Sequence, residues 1–503
     1  MNELISLMSG LTARECKNIA RGLSRYSSRG HSQTHHLKLF KLLRKHSTKH
    51  KDSTFYSSKL LGSSHDARFP MIKNRFKTKL IDTIATEINV IHNTALDYYD
   101  KSLFTAQNNL VTAQYLLRSS GNTQSFLNLV VDAEKIARKY QLYSVLLECL
   151  RLKKYYKGFA KGKKEFDLIN KEIEFVEFCN QATNKANDYY YRLILRTDFT
   201  SSYRKSYLLR SLTDSIYELQ EDFAYTKSYA IKYYLKSLEM EYYHLRKEYH
   251  TAKQTCKELY DLIKTNEIVY RKQRLGHPLI NWAYFDILLG NYDQAIKYAK
   301  LAIDHVIKPS NNYFVWNEYL FYAQFYNKSY DEALAVINEM IRHTDSSHGS
   351  FRISKYNYLR ACLYVRMNMY KEALIELGAQ SAISKDRSGW DLGIRFLRIM
   401  TLIDYAKLDE AQAQVTDLTK QFYRLRGNIH IDRRSVQIIK LFIELSNNGF
   451  IFKTQTKRIV NLLRRLGSTN TLYSWSPFNS ELIPIHFWFS NKTRQQFPSK
   501  VYN

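Results

Sequence analysis

Four tetrapeptides in the second half of the chain repeat one another: Tyr292-Asp293-Gln294-Ala295, Tyr330-Asp331-Glu332-Ala333, Tyr370-Lys371-Glu372-Ala373 and Leu408-Asp409-Glu410-Ala411. Their alanines stand 38, 40 and 38 residues apart. A period of that size constrains the fold strongly. One unit is a pair of helices too small to bury its own apolar face, so neighbours must stack to close a core. Within each unit the aromatic residue or leucine plugs the gap between helices, and the alanine lets two backbones approach closely. The polar pair between them suits a helix start, where carboxylates meet unpaired N–H groups and the positive end of the dipole. Short polar breaks precede the motifs, at Gly290-Asn291, Asn327-Lys328-Ser329, Asn368-Met369 and Ala406-Lys407, and read as turns between antiparallel helices. A weaker copy, Tyr249-His250-Thr251-Ala252, lies 43 residues before Ala295.

Composition points the same way, since six prolines and sixteen glycines in 503 residues leave little turn material for a many-stranded protein. Upstream, residues 102–117 and 123–140 read as a helical pair, followed by 142–156 and 163–183 with breaks near Gly158 and Gly162. Residues 213–247 are one long helix or two joined near Ala224-Tyr225. Two more helical patterns follow at 433–445 and 453–466, and the tail from Gly467 lacks periodicity and reads as an irregular cap over the last repeat. The expected architecture is all-α: an α-solenoid of antiparallel helix pairs behind a basic helical N-terminal region. Its parts are a basic region at 1–100, degenerate repeats at 101–248, better repeats at 249–425, and basic helices with the cap at 426–503.

The stretch from Gly290 through Ala295 and Ile296, with Tyr298, Ala302 and Pro309, resembles the turn, second helix and terminal proline of a tetratricopeptide (TPR) unit. The resemblance covers roughly residues 249–425, at a spacing longer than the family period of about 34. It implies a superhelix whose first helices line a concave groove for a peptide or partner helix. Counting back from the motif alanines puts Asn281, Tyr284, Tyr319, Tyr322 and Tyr358 at groove positions. The family's Lys, Asn and Arg clamp for a C-terminal carboxylate is matched by Asn281 alone, so the expected groove is aromatic and favours apolar or extended segments.

Charge is concentrated at the ends. Residues 1–80 carry a net +13, residues 421–503 a net +10 and the middle +6, within a total of +29. Such ends attract polyanions, acidic proteins or anionic surfaces. The basic amphipathic stretches at 37–46 and 69–84 bring forward Arg44, Lys45, Arg75, Lys77 and Lys79, with Arg464 and Arg465 near the other end, as polyanion contacts. No nucleic-acid-reading motif accompanies them, and solvated faces of an ordinary helical bundle account for the same pattern.

Forty tyrosines, many in runs such as Tyr189-Tyr190-Tyr191 and Tyr233-Tyr234, read mainly as gap-filling between helices. His31/His35 and His46/His50 are four apart, yet lack a Cys or carboxylate partner at ligand spacing, so no metal or other cofactor is expected. Five scattered cysteines without a CxxC suit reduced thiols in a cytoplasmic protein. Gly158 to Lys164 comes close to a phosphate loop, but three residues separate its glycines where four are needed. No catalytic fingerprint occurs. The expected function is therefore a non-enzymatic protein-interaction scaffold, with nucleic-acid binding through the basic ends as the alternative.

Overall fold

A computed structural model describes residues 1–9, 11–25, 31–46, 51–87, 96–121, 123–195, 202–308, 310–344, 350–378, 389–425, 432–453, 456–468 and 472–493. Among these residues there are 23 helices and no strand. The chain divides into two compact units, Met1–Ile173 and Glu174–Asn503.

In the first unit α1 (Asn2–Ser9), α2 (Ala13–Arg25), α3 (His31–Lys45), α4 (Ser53–Leu61) and α5 (Phe69–Glu87) form a small bundle. Cys16, Ile19 and Leu23 lie at helical spacing on α2 and meet Leu39, Phe40, Phe76 and Leu80 in its core. Next come α6 (Tyr98–Ser120), α7 (Thr123–Lys139) and α8 (Tyr143–Lys161), with α7 packed on α6 and α8 on α7. The division into units falls within α9 (Lys163–Leu195). Gly158 does not break α8; the break comes at Gly162, with φ 81°. The following helix runs well past Thr183, because apolar Cys179, Ala182 and Ala186 keep one face buried.

The second unit continues with α10 (Ser202–Thr226), α11 (Tyr229–Leu245), α12 (Tyr249–Thr265), α13 (Lys272–Leu289), α14 (Tyr292–Ile303), α15 (Asn311–Tyr326), α16 (Tyr330–Arg342), α17 (Ser350–Arg366) and α18 (Tyr370–Gly378). It ends with α19 (Trp390–Asp404), α20 (Leu408–Leu425), α21 (Arg433–Asn447), α22 (Lys457–Leu466) and α23 (Ile485–Thr493). From α10 onward every helix packs on its successor, and α13 also meets α15 as α17 meets α19. A single apolar cluster runs without interruption from Leu279 on α13 to Phe489 on α23. The 213–247 stretch is two helices, divided where Lys227 takes φ 53° and the Ser228 side chain caps the N-terminus of α11. Tyr190, Tyr233 and Tyr234 cluster with one another, and the Arg274 guanidinium lies over Tyr233, so these tyrosines fill space between helices.

Each repeated tetrapeptide opens a helix: α14, α16, α18 and α20 begin at Tyr292, Tyr330, Tyr370 and Leu408. Ala252, Ala295, Ala333, Ala373 and Ala411 are all completely buried, as close backbone approach requires. The turn before them is more regular than the sequence. Gln141, Lys247, Gly290, Lys328, Asn368 and Ala406 adopt φ between 51° and 80°, each two residues before a helix start. The next residue's N–H reaches back to the carbonyl five positions earlier, at 2.8–3.0 Å, in pairs such as Asn291 to Asp286 and Lys407 to Leu402. This left-handed closure satisfies carbonyls at the end of one helix and aims the chain into the next. Glycine occupies only one of the six positions, which hides the motif from a search for turn residues. Its earliest copy, at Gln141 ahead of α8, carries no alanine-marked tetrapeptide.

Candidate functional site

The unpatterned tail contacts several helices of the second unit through hydrogen bonds and aromatic stacking. Its anchor is Arg434, the second residue of α21, whose side chain is almost wholly buried. The guanidinium forks onto Glu481, with Nε to Oε2 at 2.5 Å and Nη2 to Oε1 at 2.9 Å, while Nη1 donates to the carbonyls of Leu466 and Tyr473. Arginine has no acceptor atom, so at 3.2 Å from Nη2 the Nδ1 of His486 must accept, leaving that ring's proton on Nε2. Burial and the Arg434 charge push the His486 pKa down to about 3, so the ring is neutral. Glu481 also accepts from the Ile485 N–H at 2.8 Å, placing its negative charge at the N-terminus of α23.

From this anchor the segment crosses helices that are distant in sequence. Phe478 stacks on Tyr284 of α13, centroids 4.6 Å apart, and meets Tyr319 and Tyr322 of α15 edge-on at 5.5 and 5.4 Å. The Tyr326 hydroxyl donates to the Pro477 carbonyl at 2.8 Å and also lies 3.3 Å from that of Leu482; the Tyr358 hydroxyl of α17 donates to the Ser480 carbonyl. Ser480 Oγ donates to the Gly389 carbonyl at 3.1 Å. Gly393 of α19 permits this approach, since a Cβ there would stand 2.3 Å from the Ser480 carbonyl oxygen. Beyond it, the Trp488 indole donates to Asp404, which also pairs with Lys492. The tail is therefore not merely a cap over the last helices: it reaches α13, and its end forms a helix. Aromatic burial and main-chain carbonyls that find hydroxyl donors outweigh its lack of periodicity.

Among the residues expected to line a groove, Tyr284, Tyr319 and Tyr322 converge on one ring and Tyr358 holds the same segment two residues further on. Asn281 instead donates to the carbonyl of His277 on its own helix. Burial pushes the Tyr319 phenol up to about 12. Tyr326 escaped notice although it follows Tyr322 at helical spacing. Arg434, Glu481 and Gly393 gave no signal, because charge partners 47 residues apart follow no period.

Beside Tyr284 and the tail lies a cavity of about 600 Å³, walled by Tyr249, Tyr284, Tyr292, Trp475 and Phe487, with His244 at 3.0 Å from the Tyr284 hydroxyl. Among the described residues no acidic side chain lines it.

The polyanion candidates fall in both units. Arg44, Lys45 and Arg75 are exposed on α3 and α5, Lys79 is half-buried, and Lys77 is paired with Glu3. Arg464 and Arg465 are exposed on α22, bonded to Asn461 at 3.2 Å and Gln437 at 3.4 Å. Burial, with the charges of Lys79, His35 and Arg75, lowers the pKa of His36, which packs beside Phe76. The His50 ring and Pro309 lie outside the described residues, as does the side chain of His31. Among the described residues no cluster of His, Cys, Asp and Glu could hold a metal ion, and no helix is long and apolar enough to cross a membrane. All five cysteines are buried and none is in a disulfide, and burial pushes the thiols of Cys149 and Cys362 up to about 12. No protein-family model matches this chain, and no curated protein matches it.

Proposed function

We propose that the protein is a non-enzymatic interaction scaffold: an α-solenoid of antiparallel helix pairs, TPR-like in plan, in which α13, α15, α17 and α19 line a groove for an extended segment. The observation that carries this reading is the clasp on residues 477–482, where tyrosines of three helices hold one aromatic ring and three main-chain carbonyls. Carbonyl contacts grip any extended chain, and the ring site adds selectivity. The chain's own tail is the present occupant, so it competes with any partner.

The test is a labelled peptide of residues 472–493, titrated by fluorescence anisotropy against the full chain carrying Phe478→Ala and Glu481→Gln. Saturable binding is expected, weakened about tenfold or more by Tyr319→Ser or Tyr322→Ser in that chain. Binding untouched by either replacement, in chains with unchanged circular dichroism, refutes the groove.

A second role in polyanion binding is supported by the exposed cations Arg44 and Lys45 on α3 and Arg75 on α5. Titration with labelled RNA and DNA at two salt concentrations checks it. Binding must be strongest at low salt, where counterion release is greatest; absence there removes this role.

A further inference from the structure

The tail fills its site unevenly. At one end Glu481 is fully engaged by Arg434, and Leu482 and Ile483 are buried. In the middle Phe478 lies on three tyrosines. On the side of Ser474, Trp475, Ser476 and Pro477, however, the 600 Å³ cavity is left open between the tail and the aromatic residues of α12, α13 and α14. Pockets for small organic groups span roughly 300–1,000 Å³, so an indole or phenyl group has room there. The serines at 474 and 476 contribute little apolar surface to it.

A segment that kept the Phe478 and Glu481 contacts but carried a large apolar side chain in place of Ser474 would remove about 100 Å² more apolar surface from water. At roughly 25 cal/mol per Å² that is worth between about tenfold and a hundredfold in affinity. The gain matters because a tethered occupant competes at an effective concentration of about millimolar. A hundredfold advantage lets a free segment displace it at about ten micromolar. A chain of net charge +29 also favours partners whose binding segment is acidic.

Resting on the groove proposed above, we infer that its trans ligand is an extended segment of a partner protein with this order of side chains: a bulky apolar residue, an aromatic four positions later, a glutamate three positions after that, and an apolar residue directly following. The tail matches this pattern at Phe478, Glu481 and Leu482 and falls short of it at Ser474. Glutamate is specified over aspartate or glutamine by the fork to Arg434, which takes both carboxylate oxygens at the reach of a two-carbon stem.

The experiment uses four peptides of residues 472–493 (parent, Phe478→Ala, Glu481→Gln and Ser474→Trp) against the full chain carrying Phe478→Ala and Glu481→Gln. A second full chain, Phe478→Ala alone, keeps the Arg434–Glu481 pair and serves should the first fail to fold. Expected are parent binding, a loss of about tenfold or more for each of the first two replacements, and a gain of about tenfold or more for Ser474→Trp. Parent binding with equal affinity for the Phe478→Ala and Glu481→Gln peptides overturns the side-chain pattern while the groove stands. A weaker Ser474→Trp peptide overturns the cavity's part in it. Failure of every peptide to bind either folded chain removes the groove itself.

Discussion

Replacing Gly393 by Ala sets two effects of opposite sign against each other in one residue. Gly393 lies in α19 with an ordinary helical φ, so a methyl group there strengthens the helix by up to about 1 kcal/mol. The same methyl would stand 2.3 Å from the carbonyl oxygen and 2.8 Å from the Cβ of Ser480. Both are backbone-linked atoms and cannot swing aside like the end of a long side chain, so the tail must retreat by about 1 Å to reach van der Waals separation. That retreat breaks the Tyr358–Ser480 and Ser480–Gly389 hydrogen bonds, worth about 0.5–1.5 kcal/mol each, and adds packing strain of about 1–3 kcal/mol. The tail's hold on α19 therefore weakens by about 2–6 kcal/mol while α19 itself gains. Hydrogen exchange separates the two effects. The Ile485 amide, bonded to Glu481 in the docked tail, should exchange roughly thirtyfold or more faster in Gly393→Ala, with amides inside α19 unchanged or slower. A variant that melts higher and keeps Ile485 fully protected would refute the close approach of Ser480 to α19, and the placement of the tail with it.

Three further outcomes follow from the same structure. Ala406 is exposed with φ 61°, so Ala406→Gly should relieve left-handed strain and raise stability by about 0.5–1 kcal/mol, net of the added unfolded-state entropy, in urea titration. Arg434→Met should cost about 3–5 kcal/mol by stranding the buried Glu481, and Arg434→Met with Glu481→Leu should recover part of that loss; equal cost in both chains argues against a direct pair. The folded state resists protonating His486, whose pKa falls from 6.5 to about 3, whereas the unfolded chain accepts the proton. Its stabilising contribution is thus complete above pH 6.5 and disappears as the pH falls toward 3; denaturant unfolding at several pH values should show a shallower acid-side decline in His486→Gln.

The helices of this protein are written locally. Apolar spacing, the alanine marks and the scarcity of proline and glycine specify where helices form, because each depends on residues three or four apart on one surface. The breaks between them were visible as polar interruptions, but their shared geometry was not: Lys328, Asn368 and Ala406 enter the left-handed region because the carbonyl closure five residues back favours it, whatever side chain is present. Four of the five anticipated groove residues gather along one segment, since counting back from the repeat alanines places them on the alternate helices α13, α15 and α17. Asn281 does not join them, as a nearer carbonyl on its own helix captures its amide.

What the amino-acid order alone determined, then, is a succession of helices joined by short turns with tyrosines facing one side. Only the tertiary structure decided what covers those tyrosines. Phe478 meets Tyr284 from 194 positions away and Glu481 meets Arg434 from 47. Contacts at such separations obey no period; they are selected by burial and by the need of a buried guanidinium for carboxylate and carbonyl partners, and these act only once the chain has folded.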